Sequence, residues 1–258
     1  MTARAATPAG AQVHVLGPAD VRAPDGAPVE AVMRQGKRLA LLAYLALEAR
    51  CAPARRDTLL AVFWPELPPA GARNALNQAV HFLRRTLGPG AVVTCGAASV
   101  GAGRAGVWCD AAAFLDASAA GRFAEALGLY RGPLLEGVHV GGAPAFEHWL
   151  DRRRAELRAW AAHGARALAT AAERRGDLAD AARWAWRGAE VDPTDESVAR
   201  TLIDLSSRLG DRAGAVRAYE RLARQLRDEL ALAPSAPTQA LVAAVRAGDA
   251  FGSPGPPV

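Results

Sequence analysis

Apolar positions fall into two regimes along this chain. Up to about residue 109, short alternating runs are interleaved with compact helical stripes. From Asp110 onward helical periodicity is continuous. Val13-His14-Val15-Leu16-Gly17 is a strand-like run, Ala19-Asp20-Val21-Arg22 is its hairpin partner, and Pro24-Asp25-Gly26 is a turn. Residues 37–49 are strong helix formers with Leu41, Leu42, Tyr44 and Leu45 as a core face. After a break at Ala52-Pro53, residues 56–64 make a second helix stopped by Pro65. Glu66 to Gly71 is a loop, and residues 72–87 make a third helix ended by Gly88-Pro89-Gly90. Ala91 to Thr94 is then a strand, Gly101 to Gly106 a turn, and Val107-Trp108-Cys109 the returning strand. Strands, three helices and a hairpin in that order predict a winged helix over residues 12–109, with residues 1–11 as a disordered tail.

The second regime is all-α. Helices are expected at 110–119, 122–130, 145–175, 178–190, 194–209, 212–230 and 236–248, with residues 251–258 as a Gly/Pro tail. Pro144 suits the first position of the long helix. Within this half Gly176-Asp177-Leu178-Ala179-Asp180-Ala181 recurs as Gly210-Asp211-Arg212-Ala213-Gly214-Ala215, a period of 34 residues. That period, with a small residue at a fixed helical site where two helices touch, is the signature of a tetratricopeptide-like repeat. The chain is therefore read as mainly α, a winged helix followed by a tetratricopeptide-like domain over residues 110–250.

The third helix adds chemistry to this outline. Leu76, Val80, Leu83 and Leu87 form one apolar stripe. The opposite side carries Asn74, Asn77, Gln78, His81, Arg84 and Arg85, with Arg73 at the entry, and no acidic residue lies between Arg73 and Arg104. Asn and Gln pair bidentately with adenine, and Arg pairs with guanine or phosphate, so such a face suits a DNA major groove. An ordinary solvated helix in this chain carries acids among its arginines, as Asp151 and Glu156 do within residues 150–158. Arg34, Lys37 and Arg38 near the first helix, and Arg55 and Arg56 at the start of the second, are candidate phosphate contacts. Arg104, placed at the tip of the hairpin, is a candidate minor-groove contact.

Charge follows the same division. The chain has 31 Lys+Arg and 26 Asp+Glu, net +5, and Lys37 is its single lysine. Residues 1–105 hold 12 basic and 6 acidic side chains, and residues 106–258 hold 19 and 20. The excess positive charge belongs to the winged helix, as expected of a partner with negative charge there.

Two segments also carry a family resemblance. KRLALLAYLALEA followed by RDTLLAVFWPELPPAGARNALNQAVHFLRRTLG resembles the OmpR-type winged helix of the Streptomyces antibiotic regulatory protein family. LGLYRGPLLEG, FEHWLDRRRAELR, the Gly-Asp repeats and Tyr219-Glu220 resemble its bacterial transcriptional activator domain. The resemblance covers about residues 12–248. It implies a transcriptional activator whose third helix reads direct repeats in double-stranded DNA. It further implies a wing in the minor groove and a loop, Trp64 to Gly71, that touches RNA polymerase. The helical domain would serve self-association, including a homodimer on DNA, and polymerase contact. The hairpin departs from the family's usual Gly-Tyr-Arg-like element, and Arg55 stands where a capping Ser is common.

Other chemistries find little support. Gly101-Ala102-Gly103-Arg104-Ala105-Gly106 matches G-x-G-x-x-G, yet a strand-like run follows where a dinucleotide site needs a helix. Ala97-Ala98-Ser99-Val100-Gly101 lacks the first glycine of a nucleophile elbow. The five histidines have no metal-ligand spacing, and Cys51, Cys95 and Cys109 fit no zinc or disulfide framework. No enzyme activity and no cofactor are expected. No run of apolar residues reaches membrane length and Met1 to Gly10 lacks a signal-like segment, so a cytoplasmic protein is expected. The alternative function is a protein-interaction scaffold built on the repeats, with a winged helix that does not bind DNA.

Overall fold

In the computed structural model, the described residues are 10–48, 52–103 and 105–248. Their contacts divide the chain into two compact units. One holds the residues up to Ala120 together with Gly128–Leu157; the other holds Gly121–Leu127 and the chain from Arg158 onward. The sequence boundary at residue 109 therefore falls inside the first unit.

The first unit contains two small sheets. Strands β1 (Ala11–His14) and β2 (Asp20–Arg22) pair antiparallel, and β6 (Val107–Cys109) joins the other edge of β1 in parallel, Ala11 opposite Val107. The second sheet orders β3 (Ala54–Arg55), β5 (Ser99–Ala102) and β4 (Val92–Cys95), all antiparallel. Between them lie α1 (Glu30–Met33), α2 (Gly36–Glu48), α3 (Arg56–Phe63) and α4 (Pro69–Leu87). The three expected helices are thus present as α2, α3 and α4, while α1, β3 and β5 were not anticipated.

Two expectations need correction. The hairpin is closed by β5, and the run at Val107–Cys109 pairs with β1 instead. Its turn is Gly96-Ala97-Ala98, where Gly96 takes φ +63°, a backbone state that glycine enters without steric cost. The glycines of 101–106 imitate a turn in the sequence, but Gly101 lies in β5 and Gly103 and Gly106 pack against Gly90, whose carbonyl oxygen a Cβ at either would strike. No helix opens on them, because β6 follows. Gly10 and Ala11, expected within a tail over 1–11, belong to the fold. Ala11 is fully buried in β1 and its N–H donates to the Gly106 carbonyl at 3.0 Å. Residues 1–9 and 249–258 lie outside the described residues.

α2 is buried almost throughout, from Leu39 to Leu47. Its Tyr44 meets Phe63 of α3 and Trp149 of α7 (Pro144–Arg174), with ring centroids 5.5 and 4.8 Å apart. Phe146 packs on both Phe63 and Trp149. α5 (Asp110–Ala119) begins on a buried carboxylate: Asp110 accepts from the N–H groups of Val15, Leu16 and Ala111 at 2.8, 3.1 and 2.7 Å. The winged helix thus completes its core with residues from α5 and the first half of α7. Arg153 and Arg154, expected on a solvated face, are structural: Arg153 pairs with Glu48 and Glu156, and Arg154 donates to the carbonyls of Leu134 and Leu135.

The second unit is helical. α8 (Leu178–Val191), α9 (Glu196–Arg208), α10 (Arg212–Leu230) and α11 (Ala236–Ala247) pack in succession. The short α6 (Phe123–Leu129) begins in this unit. The Gly-Asp repeat is a repeated helix entry. Gly176 and Gly210 take φ +76° and +77°, and Asp177 and Asp211 cap their helices by accepting from the N–H of Asp180 and Gly214. Ala181 and Ala215 are fully buried in a core with Leu202, Ile203 and Val245. Trp160 is 37% exposed, and its ring meets His163 edge-on.

Candidate nucleic-acid interface

α3 and α4 form a helix-turn-helix around a short turn, Trp64–Pro68. α4 starts at Pro69, three residues before the expected start, because proline at N1 lacks only an N–H that has no helical partner there. The loop expected to run to Gly71 is correspondingly shorter. α4 buries Ala72, Leu76, Ala79, Val80, Leu83 and Leu87 against the core. This stripe turns Arg73, Asn74, Asn77, Gln78, His81 and Arg85 to solvent, and all six are exposed. Together they run the length of the helix as one polar ridge, the shape a major groove admits.

The residues of this ridge have different commitments. Arg73 and Arg85 have no ion pair or side-chain hydrogen bond among the described residues, so both cations are available to a ligand. Arg84 is partly buried and turned aside: its Nε donates to the Val92 carbonyl at 2.7 Å and its Nη2 to Thr94 Oγ1 at 3.4 Å. It therefore fastens β4 to α4, a role that its place in the sequence does not reveal. Asn77 Oδ1 accepts from Arg56 Nη1 at 2.8 Å, which ties the polar ridge of α4 to the start of α3. The Arg56 N–H in turn donates to the Ala98 carbonyl in the hairpin turn at 2.8 Å.

The flanking cations are less alike than their spacing implies. Arg55 is exposed and pairs by backbone register with Ser99. Arg55 is also the N-cap of α3 and supplies no side-chain cap, so beyond the Arg56 N–H, which Ala98 takes, the first turn of that helix has no side-chain acceptor from its cap. Lys37 lies 3.4 Å from Glu66 and over the Trp64 ring, Arg34 lies 2.6 Å from Glu30, and Arg38 stacks on Phe82 at 4.1 Å. Arg34, Lys37 and Arg38 are thus engaged within the fold, while Arg55, Arg73 and Arg85 are not. Arg104 lies outside the described residues. Its neighbours Gly103 and Ala105 sit at the base of the hairpin, and the turn at its tip, Gly96-Ala97-Ala98, carries no cation.

Elsewhere the structure offers little to chemistry. No group of three or more His, Cys, Asp or Glu side chains is placed to hold a metal ion among the described residues. No described helix is long and apolar enough to cross a membrane. A cavity of about 430 Å³ beside Trp108, Cys109 and Asp116 lies in the first unit, and a wider cleft of about 880 Å³ lies along Tyr219, Arg224 and Leu232 in the second.

Comparison with known proteins extends this picture. The family model described as the bacterial transcriptional activator domain matches residues 109–246. Among solved structures, the chain is similar to Mycobacterium tuberculosis EmbR in complex with a low-affinity phosphopeptide. The TM-score is 0.58 and the identity 23%, over 94% of this chain and 66% of that one. The chain therefore spans just under two thirds of that protein, and the likeness is one of fold. No curated protein matches the sequence.

Proposed function

We propose, from the premise that this chain belongs to the bacterial transcriptional activator domain family and is a transcriptional regulator, that it binds double-stranded DNA sequence-specifically through α4. The observation that carries this reading is the exposed ridge of α4. Amides and a histidine alternate there with two unpaired arginines, and no carboxylate lies in the sequence from Arg73 to Arg104. Amides and guanidinium groups in the major groove read base edges, while the exposed Arg55 suits phosphate. Arg38 on Phe82 and Arg56 on Asn77 adjoin α4 as supporting charge, and Arg34 and Lys37, paired with Glu30 and Glu66, are secondary candidates. Arg84 acts by holding the hairpin to the helix.

The finer reading is that of the Streptomyces antibiotic regulatory kind. Two copies occupy direct repeats as a homodimer on DNA, the turn Trp64–Pro68 and the helical repeats touch RNA polymerase, and the result is activation in the cytoplasm. Arg104 remains a candidate minor-groove contact. A gel shift of the full chain against genomic fragments at physiological salt tests the central point. Retention of a few fragments, weakened by Arg85→Ala and made less selective by Asn77→Ala, supports it. Equal affinity for all fragments refutes sequence-specific binding, and no binding refutes it in favour of a protein scaffold.

A further inference from the structure

The hydrogen bond between Arg56 and Asn77 changes what Asn77 can read. An exposed asparagine on a recognition helix reads adenine by accepting from N6–H with its Oδ1 while donating to N7 with its Nδ2. Here Oδ1 already accepts from Arg56 Nη1 at 2.8 Å. The carbonyl has a second lone pair, but a guanidinium stands beside it, and the remaining N–H groups of that guanidinium need acceptors themselves. Asn77 Nδ2 has no partner among the described residues. Together the two side chains form a unit whose outward groups are almost all donors.

Three contacts hold this unit in place. Arg56 starts α3 directly after β3, whose Arg55 is in register with Ser99 of β5. Its backbone N–H is fixed to the Ala98 carbonyl at 2.8 Å. Asn77 lies on α4 between the buried Leu76 and Val80, so the face it presents is set by the core. Donors held on such a frame match an edge of acceptors, and in the major groove only guanine offers two side by side, O6 and N7.

We infer that Arg56 and Asn77 act as one composite reader that selects guanine, with Arg56 as the positioning residue that turns Asn77 away from adenine. This rests on the DNA-binding reading above. The experiment is selection of bound sequences from a random duplex pool by the full chain, repeated with Asn77→Ala and Arg56→Met. The wild-type chain should enrich a motif in which guanine exceeds adenine by about tenfold or more at the position that Asn77→Ala relaxes. Arg56→Met should move that same position toward adenine, because Oδ1 is released, and leave the other positions unchanged. The composite reader is overturned if the Asn77 position is already adenine in the wild type. It is also overturned if Arg56→Met weakens all sequences alike with the motif intact, the behaviour of a phosphate contact. A wild-type chain that enriches no motif overturns the DNA-binding reading itself, and the composite reader with it. Thermal unfolding of both variants, expected to match wild type, separates these outcomes from misfolding.

Discussion

The indole N–H of Trp149 donates to Glu48 Oε1 at 2.7 Å, and Arg153 converges on the same oxygen. One carboxylate at the end of α2 thereby binds the N-terminal half of α7 to the winged helix. The family match begins at residue 109, yet the residues at its start supply Phe146 and Trp149 to the aromatic core around Phe63. Helices α2 and α3 are therefore supported by the segment that follows them in sequence.

Glu48→Ala should leave the Trp149 N–H and one side of Arg153 without an acceptor, at a cost of about 1–3 kcal/mol. Trp149→Ala removes the ring itself and should cost about 3–5 kcal/mol. Urea unfolding of the full chain measures both. A fragment ending at residue 109 should fail to give a cooperative transition, because Phe63 and Tyr44 lose their cover.

Arg84 and Arg85 are neighbours with different work. Arg84→Ala releases the Val92 carbonyl and should lower stability by about 1–3 kcal/mol, with weaker DNA binding as a consequence of the loosened hairpin. Arg85→Ala should leave stability within about 0.5 kcal/mol of wild type. If it neutralises one phosphate, the salt slope of DNA binding should fall by about one. Parallel unfolding and salt-titrated binding separate the two residues.

The fold should lose stability on mild acidification through His14. Burial lowers its pKa below the ordinary 6.5, outweighing the pull of Asp110 in the opposite direction; Arg131 and Arg22 also lower it and Asp20 raises it. The unfolded chain then takes up the proton first, so His14's contribution is whole above pH 6.5 and is lost as the pH falls through the lowered folded value. Asp110 acts in the opposite direction. Burial raises its pKa above 3.8 despite three backbone donors, so the native state binds that proton first. Unfolding measured between pH 7 and 5 should show a decline that His14→Gln flattens.

In the repeats, Ala215 is fully buried while Ala213, two residues earlier, is exposed. Ala215→Leu should overpack the contact between helices at a cost of about 1–3 kcal/mol, and Ala213→Leu should be close to neutral. Thermal unfolding distinguishes them.

Much of this architecture is legible in the sequence because it rests on local signals. The apolar stripe Leu76-Val80-Leu83-Leu87 fixes both the helix and the face it turns outward, and Gly176-Asp177 and Gly210-Asp211 mark helix entries. The hairpin is misread because Gly96-Ala97-Ala98 lacks a strong turn dipeptide, while the glycines at 101–106 resemble a turn although they serve close packing on Gly90. The partners of Arg84 and Arg56 are eight or more residues away, in β4 and α4, and nothing in local periodicity reports such tertiary hydrogen bonds. The short β3, two residues long, has no sequence pattern of its own.

The sharpest test is a binding titration of the full chain against its best selected duplex and a scrambled duplex of equal composition, at physiological salt. Sequence-specific reading by α4 requires the selected duplex to bind about 10³-fold tighter or more, with Asn77→Ala shrinking that ratio. Equal affinity for the two duplexes would mean that the ridge of α4 does not read sequence.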